Sequence, residues 1–457
     1  MEEKRNELGQ ENISKLLLRF SIPSIIGMLV NALYSIVDRF FVGRGVGSLA
    51  LSGVAVTFPI SNVIMAFGML VGVGSGAVVS IKLGQNKHKD AEKIIGNALT
   101  LVIIFSILIT ILGIAFLEPI LNLFGASPET MPDAKEFAFI ILLGVVLQNI
   151  GFGMNPIIRS EGDPKTAMKT MLIGAVLNFL INPLFIFVFK LGVRGSALAT
   201  VCSQAVCSVW ILYYFVKGKS LLKVKKENLK LSKVYVKEII SIGMSPFAMQ
   251  LAASLITITF NRSLSRYGGD IAIGAFSLIN SVSMLILMPV FGINQGAQPI
   301  IGYNYGAKNY DRVKLTLKYA AIAATIICLF GFVIIELFPA QIISIFNESD
   351  ASLVDIGAKG ISLFLVMLPV IGMQAIFTNY FQAIGKAKIS MFLSLLRQVI
   401  VLLPLIIILP RFFYLTGVWI SGPASDFIAA VITVLFIIYE MKLLGKEKNE
   451  FVEECTS

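Results

Sequence analysis

One acidic residue stands in an apolar stretch near the start of the chain, NALYSIVDRFFVG at positions 31–43. A carboxylate such as that of Asp38 costs roughly 2.5–3.5 kcal/mol when it is inserted into the centre of a membrane helix. Its neighbour Arg39 would point about 100° away around the helix, so the two side chains would make a poor ion pair. Because an acid in this position is expensive, we expect Asp38 to bind a cation or a proton that comes and goes.

Three uncharged polar residues in later apolar stretches could complete a site with Asp38. Asn178 and Asn182 in AVLNFLINPLFIFVF are four residues apart and share one helix face, and Pro183 then weakens the helix. Thr200 follows in GVRGSALATVCSQ. One carboxylate, two amide oxygens and one hydroxyl suit a hard cation such as Na⁺, and a buried carboxyl group equally suits a proton. The structural alternatives are hydrogen bonds between helices for the amides and a bond to its own backbone for the hydroxyl.

The second half of the chain carries its own deep charges. Arg397 lies about ten residues into one predicted helix and Asp426 about ten residues into the next, so both fall near the middle of a membrane. A structural ion pair is the favoured interpretation, and a second coupling site or a cation-binding acid is the alternative. Asn261 occupies the position that corresponds to Asp38, which favours ion coupling in the first half.

The composition indicates an all-α integral membrane protein. The 457 residues are 56% hydrophobic and only 14% charged, against about 25% charged in an average soluble domain. Apolar runs long enough to cross a bilayer recur along the whole chain. They predict twelve transmembrane helices, near 13–42, 50–83, 93–117, 131–157, 166–190, 193–217, 236–265, 271–303, 313–338, 352–384, 387–411 and 415–444.

Lysine and arginine are concentrated in every second connection between these helices. The side that holds the N-terminus collects most of them, including the basic run at 216–238. Because positive residues are retained on the cytoplasmic side, the pattern predicts a multi-pass protein of the plasma (cytoplasmic) membrane with both termini in the cytoplasm. The net charge of +11 is therefore interpreted as a topology signal, and no nucleic-acid partner is expected.

The two halves of the chain repeat each other. The matched pairs are Pro23 and Pro246, Asp38 and Asn261, Gly84 and Gly306, Phe124 and Phe346, Gly162 and Gly385, and Pro183 and Pro404, with offsets of 221 to 223 residues. Six helices in each half make this a parallel repeat, in which substrate is carried near the interface between the halves. The predicted organisation is an N-terminal lobe at 1–216, a cytoplasmic basic linker at 217–237 and a C-terminal lobe at 238–457.

Four stretches together resemble one known family. They are NALYSIVDRFFVG in the first helix, LNFLINPLFI in the fifth, GSALATVCSQ in the sixth and PIIGYNYGAKNYDRV after the eighth. These stretches, with the two six-helix halves, are similar to the multidrug and toxic compound extrusion (MATE) family, in particular its DinF/MepA-like bacterial branch. The resemblance covers about 13–444.

The resemblance implies a secondary active antiporter that exports cationic or amphiphilic drugs in exchange for H⁺ or Na⁺, while two lobes rock between outward-open and inward-open states. It implies that Asp38 couples the ion, that Asn178 and Thr200 belong to the same site and that Pro23 marks a bending point of the first helix. Asn182 departs from the pattern, because close relatives often have aspartate there, and the coupling ion stays open between H⁺ and Na⁺. The expected partners are the lipid bilayer and small drugs, and the expected state is a monomer.

Two further functions stay open at this point. A lipid-linked precursor flippase of the same superfamily would need interior cations, and the helices offer few of them beyond Arg397. A membrane-embedded enzyme would need a nucleophile–base pair, a metal cluster or a nucleotide loop, and none is recognisable in the sequence. We therefore expect no catalytic residue and no cofactor. A channel is disfavoured because duplicated halves and broken helices are typical of alternating access.

Overall fold

The computed structural model describes residues 7–346 and 350–456, apart from the side chains at 35, 39, 48 and beyond 446. The expected orientation of Arg39 therefore lies outside the described residues. Within them, nine helices are long and apolar enough to cross a membrane, and two bent helix pairs pass the same test together. The 74-residue helix Lys233–Gly306 is broken at Gly269, where φ is 67°, and counts as two crossings. Twelve crossings result, labelled α1 to α12.

The crossings follow one another along the chain with short connections. They are α1 (Ile13–Gly45), α2 (Ser48–Val56 and Phe58–Gly84), α3 (His88–Ala115), α4 (Met131–Leu143 and Val145–Ser160), α5 (Pro164–Pro183, then the π-helical Leu184–Val188), α6 (Gly192–Val216), α7 and α8 (Lys233–Gly306, before and after Gly269), α9 (Tyr310–Leu337), α10 (Ala351–Leu365 and Leu368–Ala383), α11 (Ala387–Leu395, the π-helical Leu396–Leu402 and Leu403–Ile408) and α12 (Pro410–Thr456). Short helices at Leu117–Leu123, Lys226–Leu229 and Pro339–Ser344 lie in the connections.

Several crossings are interrupted. The two parts of α4 meet at an angle of 56° and those of α10 at 45°. In α5 the hydrogen-bond ladder widens to a π-helix directly after Pro183, because proline lacks the N–H that an α-helix needs there. By contrast, α1 continues through Pro23 as one helix, and the Ser24 hydroxyl donates to the Phe20 carbonyl at 2.9 Å. The bending role of Pro23 stays a prediction.

One end of the bundle, called here the basic end, carries the turns at 85–87, 161–163, 307–309 and 384–386 and the connection at 217–232. Two glycines bring α2 and α8 into backbone contact there. A Cβ atom on Gly84 would lie 2.0 Å from the Tyr303 carbonyl oxygen, and one on Gly306 would lie 2.2 Å from that of Ile81. Both glycines and both contacted residues are 222 positions apart. The contact is therefore reciprocal, as expected for a repeat related by a pseudo-twofold axis.

A second reciprocal contact joins the same lobes. A Cβ on Gly74 of α2 would lie 3.0 Å from the backbone nitrogen of Gly243 in α7, and a Cβ on Gly296 of α8 would lie 2.9 Å from the carbonyl carbon of Phe20 in α1. Only glycine permits this approach, since any side chain would force the helices apart. The two halves are thus closely packed through α1, α2, α7 and α8 towards the basic end.

Candidate functional site

Asp38 is held by two uncharged donors from neighbouring helices. Its Oδ1 accepts a hydrogen bond from Asn182 Nδ2 of α5 at 2.6 Å and another from Ser196 Oγ of α6 at 2.8 Å. Hydrogen bonds to an ionised acceptor are stronger than bonds between neutral groups. These donors stabilise the charge of Asp38 without neutralising it. The residues Asp38, Asn182 and Ser196 are called here the acid layer.

A second polar layer lies one helical turn away. Thr200 Oγ1 is 3.0 Å from the Tyr34 hydroxyl of α1 and 3.4 Å from Asn178 Nδ2 of α5. Each of the three helices supplies one residue to this layer and another, four positions along, to the acid layer. Such i and i+4 residues lie above one another on one helix face, about 5–6 Å apart. The predicted site residues are therefore brought together as two layers, with Asn182 against Asp38 and Asn178 against Thr200.

The two layers hold amide oxygens that are buried without a donor. An ionised carboxylate only accepts hydrogen bonds, so the Asn182 amide must turn its nitrogen to Asp38 and its oxygen away. Within the described residues, Asn182 Oδ1 and Asn178 Oδ1 have no hydrogen-bond partner. A buried acceptor without a donor costs about 1–3 kcal/mol. A bound cation, or the proton of a protonated carboxyl group, would relieve that cost, so the arrangement suits a transient positive charge.

The ligand set limits which cation could bind. No group of three or more His, Cys, Asp or Glu side chains that could hold a metal ion occurs among the residues described. A cation here would be bound by the Asp38 carboxylate with amide and hydroxyl oxygens. Oxygen ligands with a single negative charge suit a monovalent hard ion better than a transition metal.

Two members of the cluster, Tyr34 and Ser196, do not appear among the sequence-predicted residues. Ser196 lies four residues before Thr200, and Tyr34 lies four residues before Asp38. The same i,i+4 spacing that joined Asn178 to Asn182 would have found both. Their types gave little signal, because serine and tyrosine are common in membrane helices.

The deep charges of the second half meet directly. Arg397 Nε lies 2.5 Å from Asp426 Oδ1, and the Asp426 side chain is 7% exposed against 33% for Arg397. Arg397 lies in the π-helical part of α11, where its carbonyl oxygen accepts a hydrogen bond from Ser425 Oγ at 2.6 Å. The pair thus joins α11 to α12 at an irregular point of the backbone. Asn261, which corresponds to Asp38, is exposed.

A cavity of about 260 Å³ lies beside the polar layers. Tyr34 lines it, so the residue that contacts Thr200 also faces the cavity. Its walls come from α1, α2, α4, α5 and α6, with Gln295 and Gln298 added from α8. Four methionines provide much of the apolar surface: Met28, Met65, Met69 and Met171. Flexible thioether side chains adapt to ligands of different shape.

One charged residue in this cavity wall was assigned from the sequence to a connection. Arg159 is the penultimate residue of α4, yet its side chain is 8% exposed and lines the cavity. Its burial depends on how α4 packs against other helices, which the local sequence does not specify.

Known proteins share this architecture. The MatE family profile matches the chain twice, at residues 23–184 and 246–408, and the two matches start 223 residues apart, in register with the repeat. A curated relative named Multidrug export protein MepA from Staphylococcus haemolyticus is 26% identical over 97% of this chain and 97% of its own length. The protein of the same name from Staphylococcus aureus (strain MRSA252) is 24% identical over 96% and 97%.

Solved structures agree with the fold. A crystal structure of MATE in the bent conformation has a TM-score of 0.91 and 26% identity, covering 97% of this chain and 99% of that chain. The outward-facing conformation of a multidrug resistance MATE family transporter of the MOP superfamily has a TM-score of 0.89 and 27% identity, covering 96% and 98%. The predicted class of twelve helices in two lobes is confirmed by this similarity.

Proposed function

The chain belongs to the MatE family, and from that premise we propose that it is a secondary active exporter of cationic and amphiphilic compounds. Export is driven by exchange for H⁺ or Na⁺ across the cytoplasmic membrane. The basic end faces the cytoplasm, as the Lys and Arg distribution indicates, and the protein works as a monomer. The relatives named Multidrug export protein support the substrate class.

The observation that carries this proposal is the pair of buried amide oxygens beside Asp38, those of Asn178 and Asn182. Asn182 and Ser196 also donate neutral hydrogen bonds to the Asp38 carboxylate. A carboxylate in a membrane helix is costly while it is charged, so uptake of a cation or a proton there would be favourable. The nearby amide oxygens of Asn178 and Asn182, buried without donors, would bind the incoming positive charge.

Coupling requires that occupancy of the ion site changes the affinity of the cavity for substrate. Tyr34 provides the connection, because it contacts Thr200 of the second polar layer and also lines the cavity. A charge arriving at Asp38 would change the hydrogen bonds of α1, α5 and α6 together. A ligand shifts a conformational equilibrium only through its different affinity for the two states, so the site must be remodelled as the lobes move.

The lobe movement would separate the glycine contacts between the halves. In this structure α1 and α2 pack against α7 and α8 towards the basic end, through Gly74, Gly84, Gly296 and Gly306. Access to the cavity from the cytoplasm would need these surfaces to part. Because the contacts are reciprocal, a rocking rotation about the pseudo-twofold axis opens both sides of the interface at once.

The test is transport by the purified protein in proteoliposomes. We expect ethidium, a fluorescent lipophilic cation, to move against its gradient when a proton or a Na⁺ gradient is imposed. Alkalinisation of the compartment that ethidium enters would indicate H⁺ exchange, whereas strict dependence on Na⁺ at clamped pH would indicate Na⁺ exchange. Protein-free liposomes are the control. Folded protein that moves no lipophilic cation under either gradient would contradict the proposal.

A further inference from the structure

The cavity beside the polar layers carries an unexpected charge for an exporter of cations. Of the described residues that line it, Arg159 alone carries a full charge. Its other polar walls are amides, hydroxyls and a thiol, from residues such as Asn31, Gln204 and Cys207. Asp38 does not line the cavity and lies one helical turn beyond Tyr34. The cavity is therefore electropositive at its Arg159 side.

No counter-ion for Arg159 is found among the residues that the structure describes. Its Nη1 donates to Asn155 Oδ1 at 2.7 Å, and the Asn155 Nδ2 in turn donates to the Ala167 carbonyl at 2.9 Å. No carboxylate among the described residues forms an ion pair with the guanidinium. A buried cation without a charged partner is costly. The guanidinium is nevertheless held in this buried position by the Asn155 side chain, and the hydrogen bond to Ala167 fixes the orientation of that side chain.

The nearest acid along the chain is already engaged. Glu161 lies two residues beyond Arg159, but its carboxyl group contacts Ser220 Oγ at 2.7 Å and accepts from the backbone nitrogen of Leu221 at 2.8 Å. It belongs to the contact between the turn at 161–163 and the connection at 217–232. Asp163 Oδ1 accepts from the backbone nitrogen of Thr166, at the start of α5. Within the described part of the chain neither acid forms an ion pair with Arg159, so a bound ligand could supply the counter-charge.

The dimensions of the cavity suggest where the rest of a ligand would lie. Gly151 and Arg159 of α4 both line the cavity and are about 12 Å apart along that helix, at 1.5 Å per residue. The methionines of α1, α2 and α5 also line the cavity. A ligand spanning this distance would have one polar end at Arg159 and an apolar body against the methionines.

We propose that this cavity binds amphiphiles that carry a carboxylate, and that Arg159 pairs with that carboxylate. Asn155 uses one of the five N–H donors of the guanidinium, which leaves donors for a bidentate contact with a planar carboxylate. A single arginine matches a monoanion and would leave part of a phosphate dianion uncompensated. Zwitterions and organic anions with an apolar body are the substrate class that follows. The inference rests on the proposed function in one respect, since it takes the cavity to be the substrate site.

The test compares three ligands that share one fluorophore. Dansylglycine carries a carboxylate, dansylglycinamide is its neutral counterpart, and dansyl-ethylenediamine is a cation. Their fluorescence rises in apolar surroundings, so binding to purified protein is measured by titration without any ion gradient. We expect wild-type protein to bind dansylglycine at least tenfold more tightly than dansylglycinamide. Arg159→Gln should abolish that preference, and Arg159→Lys should retain part of it.

The matched control is Arg262→Gln, which removes an exposed arginine of α7 that does not line the cavity. It should keep the wild-type preference. Melting temperatures of all variants establish that they are folded, and Arg159→Lys keeps the test informative if Arg159→Gln folds poorly. Tighter binding of the cation than of the carboxylate by wild-type protein would overturn the inference. So would a carboxylate preference that survives Arg159→Gln.

The same proteins separate this inference from the proposed function. The protein could show a carboxylate preference that depends on Arg159 and yet transport nothing under either gradient. That result would overturn export and support the binding site. Ion-driven ethidium transport without an Arg159-dependent preference would support export and overturn the binding site. The two hypotheses therefore fail on different measurements.

Discussion

In the first half of the chain Asp38 is held by the neutral donors Asn182 and Ser196, whereas in the second half Asp426 is held by the guanidinium of Arg397. Both acids lie in helices that cross the membrane, in lobes built from one repeated plan. Hydrogen bonds from neutral donors stabilise a carboxylate but do not neutralise it. An acid paired with arginine is neutralised permanently, because arginine does not lose its proton.

The backbones of the two halves share one irregularity, but different residues lie at it. Both α5 and α11 widen to a π-helix near the matched prolines Pro183 and Pro404. In α5 this irregularity begins two residues after Asn182, and in α11 it contains Arg397. The duplicated fold thus provides an irregular helix in each lobe, and different polar residues lie beside the irregular part in each.

The largest expected effect comes from removing the first acid. Asp38→Asn should fold, because asparagine fills the same space and removes a costly charge. It should lose ion-driven export at least tenfold, since an amide neither takes up a proton nor attracts a cation strongly. The measurement is ethidium transport in proteoliposomes and drug resistance of cells at equal expression. Normal resistance conferred by Asp38→Asn would contradict the proposed coupling role.

A variant at Asn261, the repeat equivalent of Asp38, tests whether the surroundings of the acid matter. Asn261→Asp introduces an acid at the repeat equivalent of Asp38, but Asn261 is exposed, whereas Asp38 is partly buried. The double variant Asp38→Asn with Asn261→Asp should therefore remain inactive. Recovery of transport would mean that the position of the acid in the repeat matters more than its surroundings.

Much of the first site could be predicted from the sequence, because residue type and spacing within single helices indicate it. Asp38 was conspicuous in an apolar helix, and the spacing of Asn178 and Asn182 placed both on one face. The contact between Asn182 and Asp38 needs α1 and α5 to pack together, which the family resemblance supplied. Arg159 illustrates the opposite case, since a basic residue near a helix end is normally solvated. Its burial results from tertiary packing, and no pattern in the neighbouring residues indicates it.

Breaking the fixed pair of the second half should affect stability more than ion coupling. Asp426→Asn leaves Arg397 without its counter-charge. Removing one partner of a fully buried pair costs about 3–5 kcal/mol, and because Arg397 is one-third exposed we expect less, about 1–3 kcal/mol. The melting temperature in detergent should fall for Asp426→Asn and stay near wild type for Asp38→Asn.

A charge exchange tests whether the second pair is structural. The double variant Arg397→Asp with Asp426→Arg should recover part of the lost melting temperature, since the pair is restored with its order reversed. Recovery will be incomplete, because the Arg397 carbonyl and Ser425 are arranged for the present geometry. An unchanged melting temperature together with lost transport would instead assign Asp426 a role in binding substrate or ion.

The smallest expected effect concerns a third difference between the halves, at the matched turns that contain Gly162 and Gly385. Before Gly162 stands Glu161, which is 1% exposed, and before Gly385 stands Ile384, which is 4% exposed. Ser220 Oγ lies within 2.9 Å of both Glu161 carboxyl oxygens and 2.6 Å from the Leu222 carbonyl oxygen. A single hydroxyl hydrogen cannot serve three acceptors, so a protonated Glu161 that donates to Ser220 fits this geometry best.

Burial raises the pKa of Glu161 to about 8, and the hydrogen bonds that its ionised form would accept from Ser220 and Leu221 offset part of this rise. The folded protein then holds a proton that the unfolded chain releases near pH 4.5, so this group stabilises the fold fully below that pH. Its contribution falls as the pH rises and is lost on passing pH 8. Glu161→Gln keeps a neutral side chain at every pH. Its melting temperature relative to wild type should therefore rise by a few degrees between pH 5 and pH 8.5. Glu227→Gln, at an exposed position of the same connection, should show no such trend. A constant difference between Glu161→Gln and wild type across this range would show that Glu161 keeps one protonation state, and that the turn tolerates a buried carboxylate where its counterpart has isoleucine.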